Sequence, residues 1–175
     1  MSFKINISGI DVELNIKGYT PSAENFWESK WCECDYSFRS GSWLNYSKEN
    51  DEVFMSNEIE ALEANLTKLL NDELKETEEI RCIEPDYIFI LQPKRDRRKD
   101  PSYTYIRPGY EIADIHMEWK IYFWNEGLTD NFLSLRFDRT EITAFRDYLK
   151  SVISAAEGLW AFMSRSSYSI SLSSS

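Results

Sequence analysis

Strict alternation of apolar and polar residues over Ile115–Trp124 constrains this chain more than any other feature. Ile115, Met117, Trp119, Ile121 and Phe123 share one face, as in an extended strand, where side chains repeat every second residue. Asn125-Glu126-Gly127 supplies a turn, and Leu133, Leu135 and Phe137 return on one face of a second run, Phe132 to Phe137. The spacing predicts a hairpin with one face in a core.

The same period recurs along the chain. Phe3, Ile5 and Ile7, then Ser8-Gly9, then Val12, Leu14 and Ile16 predict an N-terminal hairpin. From Trp27 to Phe38, Cys32, Cys34, Tyr36 and Phe38 face one way and Trp31, Glu33, Asp35 and Ser37 the other. Ser40-Gly41 turns the chain into a partner strand, Trp43 to Tyr46, and Glu49 to Glu52 reads as an acidic loop. Ile80 to Ile83 is strand-like. Tyr87-Ile88-Phe89-Ile90-Leu91 is apolar on both faces, as a central buried strand is, and Pro93 ends it. Tyr103 and Tyr105 suit a short strand before Pro108-Gly109.

Two segments switch to helical spacing. Ser56 is placed to cap the first, with Glu58 and Glu60 in its first turn, where the helix dipole favours negative charge. Ile59, Leu62, Leu66, Leu69 and Leu70 make its apolar stripe, which fades in the acidic stretch Asp72–Glu79. Asp138 caps the second helix, with Glu141 three residues on in a capping box and Phe137 and Ile142 flanking as a staple. Ile142, Phe145, Leu149, Val152, Ile153 and Ala156 form its buried stripe, and Gly158 marks its stop.

Strands, helix, strands, helix, without βαβ alternation or internal repeat, predict an α+β fold: a curved, mostly antiparallel sheet with two helices packed on it. At 175 residues and 42% apolar content, the chain fits one domain with a core of its own, assigned to residues 1–163. A tail, residues 164–175, holds 8 Ser in 12 residues, and its Tyr168-Ser169-Ile170-Ser171-Leu172 alternation suits an edge strand.

Charge narrows the function. Twenty basic against thirty acidic residues leave a net charge of -10, which repels nucleic acid and anionic membranes except where a local basic patch does otherwise. No run approaches the ~20 apolar residues that cross a bilayer, and the opening residues lack a signal-peptide pattern. A cytoplasmic protein with reduced thiols is expected. A single His116 removes multi-histidine chemistry. Cys32, Cys34, Cys82 and His116 make a Cys3His set by number, but Cys-x-Cys shares its strand face with Tyr36 and Phe38, so core packing is the better account. No metal or other cofactor is expected. Phosphate-binding loops, G-x-G-x-x-G, H-E-x-x-H and G-x-S-x-G are absent.

Three surfaces remain. His116, Glu118, Lys120 and Tyr122 line one face of a strand, with Ser134 and Arg136 across the hairpin; without a nucleophile, a second His or a glycine-rich turn nearby, a solvated sheet face explains them better than acid–base chemistry does. The same holds for Glu84 and Asp86 around Pro85. Lys94, Arg95, Arg97, Arg98 and Lys99, followed by Tyr103 and Tyr105, form a basic loop of a kind that holds phosphates, or simply a charged loop tip. Glu33, Asp35, Glu49, Asp51 and Glu52 lie on or beside one hairpin with Trp27, Trp31 and Trp43, and Glu73, Glu76, Glu78 and Glu79 follow the first helix. Acids steer basic partners and tryptophans anchor interfaces, although acids also serve solubility.

The order of these features resembles the WapI-type bacterial immunity proteins. It comprises an N-terminal hairpin, a tryptophan-bearing strand pair, a helix Glu58-Ile59-x-x-Leu62-x-x-x-Leu66, a strand after Ile83-Glu84-Pro85, and Phe132–Phe137 feeding a helix with Phe145-x-x-x-Leu149. The resemblance spans about Phe3 to Gly158. It implies a cytoplasmic protein that neutralises a toxin's C-terminal domain, tRNA-cleaving nucleases among them, and it transfers no functional residue.

The leading expectation is therefore a non-enzymatic, protein-binding module, monomer or homodimer. Its partner surface is assigned to Trp31, Glu33, Asp35, Trp43, Glu49, Asp51 and Glu52, with no nucleic acid or membrane contact. The rival is a small-molecule-binding domain or enzyme with a pocket in the curved sheet lined by Trp119, Tyr122 and Trp124.

Overall fold

The computed structural model describes residues 1–21 and 29–170, with side chains described as far as residue 156. Ten strands and two helices alternate along the chain as the α+β reading requires: β1 (Phe3–Ile7), β2 (Ile10–Lys17), β3 (Trp31–Ser40), β4 (Leu44–Met55), α1 (Ser56–Leu70), β5 (Glu78–Arg81), β6 (Tyr87–Gln92), β7 (Arg95–Asp96), β8 (Ile112–Ala113), β9 (His116–Trp124), β10 (Leu128–Phe137) and α2 (Arg139–Ile170). The expected single curved sheet is two four-stranded antiparallel sheets, β1-β2-β3-β4 and β10-β9-β6-β5, with β7 and β8 pairing apart as a ribbon.

The inner faces of both sheets and the apolar stripes of both helices meet in one core. Trp119 sits at its centre, fully buried. Its ring lies 5.7 Å from Phe38 of the first sheet, 5.1 Å from Tyr87 and 5.4 Å from Phe89 beside it, and 5.5 Å from Phe145 of α2, nearly parallel at 15°. Burying such a ring contributes roughly 2–3 kcal/mol, so this one residue of the alternating strand joins three layers. β6 lies between β9 and β5, as its two-faced apolar pattern predicts.

Both helices start by local side-chain capture. In α2, Asp138 Oδ1 accepts the N–H of Thr140 and of Glu141 at 2.8 and 3.1 Å, and Glu141 returns to the Asp138 N–H at 2.7 Å, completing the capping box. In α1 the capping position belongs to Met55, one residue before the expected Ser56. Glu58 accepts the Met55 N–H at 2.8 Å, whereas the Ser56 hydroxyl is drawn to the Lys30 carbonyl at 3.1 Å.

Several expectations change. β4 runs straight through the expected acidic loop at 49–52, because Cys32↔Phe54 and Glu33↔Glu52 pairing holds the chain extended. The ladder shifts register twice, between Cys32 and Glu33 and between Cys34 and Tyr36; at the second shift Asn50 takes φ 53° and donates its N–H to Asp35. Tyr103 and Tyr105 lie outside any strand, in the connection between β7 and β8, while part of the expected basic loop is strand and a short 3-10 turn, Arg97–Lys99. α2 passes Gly158 and continues to Ile170, so Tyr168–Ile170 is helical backbone rather than edge strand. No described helix is long and apolar enough to cross a membrane.

Candidate functional site

The open end of the β3–β4 hairpin carries two glutamates directly across from one another. Glu33 pairs with Glu52 in the register, both exposed, and Cys34 pairs with Asp51. Like charges at such cross-strand positions repel, so this face is held negative against its own electrostatics. The neighbouring aspartates are already engaged. Asp35 accepts from Lys17 Nζ at 2.6 Å, from the Asn50 N–H at 3.0 Å and from Asn15 at 3.4 Å, and the Lys17 bond leads the interactions that lower its pKa. Asp51 accepts the Tyr36 hydroxyl at 2.6 Å and lies 3.4 Å from Lys48.

The second sheet adds what the sequence reading set aside. Pairing of Tyr87 with Ile121 brings the β5–β6 loop and the end of β9 together, and Glu84, Asp86 and Trp124 join Glu33, Asp51 and Glu52 around a depression of about 380 Å³. Asp86 is 5% exposed and accepts the Trp124 indole N–H. Burial pushes its carboxyl up to about 6; Lys48 opposes the rise, and Asp51 and Glu84 add to it. Lys48 stands 5.4 Å over the Trp124 ring and, among the described residues, is the one cation lining the depression, while Lys17 lies across from Glu33 on β2. The depression is therefore anionic with an aromatic wall, a surface that attracts cationic side chains.

The residues expected at a partner surface fall in different places. Glu33, Asp51 and Glu52 line the depression. Trp31, half-buried, pairs with Met55 near it. Asp35 and Glu49 line a separate polar hollow of about 400 Å³ on the outer face of the first sheet. Trp43, 68% exposed, sits in the β3–β4 turn, roughly 25 Å from Glu33 at strand rise, and belongs to the other end. Trp27 lies outside the described residues. Glu84, Asp86, Lys48 and Trp124 were missed as a group. The signal was an acidic pair, Glu84 and Asp86, just ahead of the central strand, whose distant partner β9 nothing local in the sequence specifies.

The other readings resolve by position. Cys32, Cys34 and Cys82 are free, buried core thiols at 0%, 0% and 7% exposure, and among the described residues no cluster of His, Cys, Asp and Glu is arranged to hold a metal. His116, Glu118, Lys120 and Tyr122 lie on the outward face of β9. There Glu118 pairs with Arg136, Tyr122 packs on Phe132 at 5.2 Å, and Lys120 lies 5.5 Å over the same ring. Burial first, then Arg136, lowers the His116 pKa. Trp119, Tyr122 and Trp124 do not share a pocket: Trp119 is in the core, Tyr122 points from the opposite face of its strand, and Trp124 walls the acidic depression.

One family model, described as the immunity protein WapI-like family, matches residues 3–157. No curated protein matches the chain.

Proposed function

The chain belongs to the WapI-like immunity protein family, and from that membership we propose that it works without catalysis and without a cofactor, by holding a toxin domain against its acidic end. The observation that supports this reading is the convergence of Glu33, Asp51, Glu52, Glu84 and Asp86, drawn from two sheets, around Trp124. A nuclease binds phosphates with cations, so an anionic surface with an aromatic anchor competes for the same groups and occludes them. Its reduced thiols fit a site of action in the cytoplasm.

A tagged pull-down from source lysate at low and high salt, read by mass spectrometry, tests the partner; a stoichiometric basic toxin domain, released as salt rises, is expected. Glu33, Glu52 and Glu84 changed together to Gln should then slow association roughly tenfold at low ionic strength while leaving the melting temperature no lower than before. Asp51 and Asp86 are left unchanged because they accept the Tyr36 hydroxyl and the Trp124 indole N–H, so replacing them would alter the fold as well as the charge. Unchanged association in the triple variant, or a complex in which the toxin stays active, would sink the proposal.

A further inference from the structure

Between β6 and β9 the chain leaves the second sheet as an arm, residues 93–114, closed by the β7–β8 ribbon. Its charges are sorted. Each of its four carboxylates is turned onto the fold itself. Asp96 grips the Arg98 guanidinium at 2.8 and 2.7 Å, and Asp100 accepts the Ser102 N–H and hydroxyl at 3.0 and 2.7 Å. Glu111 accepts the Gly109 N–H at 2.9 Å, and Asp114 pairs with Arg139 at 2.8 Å. Lys94, Arg95, Arg97, Lys99 and Arg107 are left with no carboxylate at ion-pair distance among the described residues.

Aromatic rings stand among these cations. Tyr103, Tyr105 and Tyr110 are 40%, 76% and 55% exposed, and with Arg97, Ile106 and Arg107 they line a hollow of about 340 Å³. Arg97 lies 5.9 Å over Tyr103 and Arg107 5.5 Å over Tyr110. A guanidinium stacked in this way can still turn edge N–H groups to an oxyanion; Arg97 spends one of them on the Tyr110 carbonyl at 3.4 Å. Arg97 Nε is buried with no hydrogen-bond partner among the described residues.

We propose that the arm is a binding site for single-stranded nucleic acid, with the exposed tyrosines stacking bases and Arg97 and Arg107 taking phosphate oxygens. Ring faces beside uncompensated cations are the recurring pattern of such sites. Each carboxylate of the arm already accepts a hydrogen bond within the protein, so the cations and rings are the groups left to meet a ligand. The local arrangement overrides the repulsion expected from the net charge of -10, because screening confines that repulsion to about 10 Å at 0.1 M salt. The arm leaves at the Gln92↔His116 end of the β6–β9 pair, opposite the Tyr87↔Ile121 end where the carboxylates gather. The inference goes beyond toxin binding and does not depend on it.

Fluorescence anisotropy with fluorescein-labelled U8 and dT8, and an octaglutamate peptide as control, tests the site on the full chain. Both strands should bind at 50 mM salt and weaken about sevenfold by 200 mM, as two phosphate contacts predict. Tyr105→Ala and Arg107→Gln should each weaken binding at least fivefold with an unchanged melt, and Tyr105→Phe should retain it. No binding at 0.1 mM protein, indifference to Tyr105→Ala, or equal affinity for octaglutamate would overturn the proposal; the last outcome would mark an acidic-protein surface instead. Glu33, Glu52 and Glu84 changed to Gln should leave U8 binding intact, which separates failure here from failure of the toxin-binding reading.

Discussion

The phenol oxygen of Tyr148, on α2, accepts the backbone N–H of Ile16, on β2, at 2.7 Å. β1 begins at Phe3, opposite Leu14, so the helix supplies a bond that no earlier β1 residue reaches. Phe3 packs on the same ring at 5.8 Å. One side chain thereby locks the second helix to the first sheet.

Tyr148→Phe keeps the ring and strands a buried donor, and should cost about 1–3 kcal/mol in urea unfolding. Tyr87 is the counter-case. It is fully buried and its hydroxyl has no hydrogen-bond partner among the described residues, so Tyr87→Phe should be neutral or stabilising. Equal losses in the two variants would refute the assignment.

Asp86 sets a pH dependence of unusual sign for a carboxylate. Its folded pKa, about 6 through burial, exceeds the ordinary 3.8, so the folded protein binds the proton more tightly than the unfolded chain. Its contribution is fully present below pH 3.8 and is lost as pH rises through 6. Asp86→Asn cannot titrate and keeps an acceptor for Trp124. Relative to it, the wild type should lose about 2 kcal/mol between pH 4 and pH 7. Parallel stability curves across that window would contradict the burial argument.

Glu58 joins two elements with one carboxylate: Oε2 takes the Met55 N–H at 2.8 Å, and Oε1 takes the Ile83 N–H at 2.6 Å. Glu58→Ala should destabilise by about 2–3 kcal/mol, since both donors lose a charged acceptor. Amide exchange at Met55 and Ile83 should accelerate together. If only Met55 responds, the link to the β5–β6 loop is not made.

Burial raises the pKa of all three thiols, that of Cys32 to about 11 and those of Cys34 and Cys82 further. Thiolate is the reactive form, so native protein at pH 8 should react with a disulfide reagent only on the timescale of unfolding and then release three equivalents in urea. A fast native equivalent would place one thiol outside the core.

The legible parts of the fold were those decided within a few residues. Asp138 and Glu141 cap each other across three positions, and the 115–137 hairpin turns through Asn125-Glu126-Gly127; both stand as read. Long-range hydrogen bonds decided the rest. Ser56 reads as a cap until the Lys30 carbonyl, distant in sequence, takes its hydroxyl. Glu49–Glu52 reads as a loop because its composition is polar, yet β3 holds it in register and Asp35 satisfies the bulged Asn50 N–H. The acidic end was half legible for the same reason: Glu33, Asp51 and Glu52 are hairpin neighbours, whereas Glu84 and Asp86 join them only through β6–β9 pairing.

The face-to-face placement of Glu33 and Glu52 also sets stability against affinity. Their repulsion lowers the free protein's stability by about 0.2–1 kcal/mol, and a cation lodged between them would remove it. On the proposed toxin-binding reading the isolated protein is the strained partner, and relief of that strain would add to the binding free energy. Substitutions chosen for thermal robustness would tend to neutralise this pair first, and so select against the surface proposed to meet the partner.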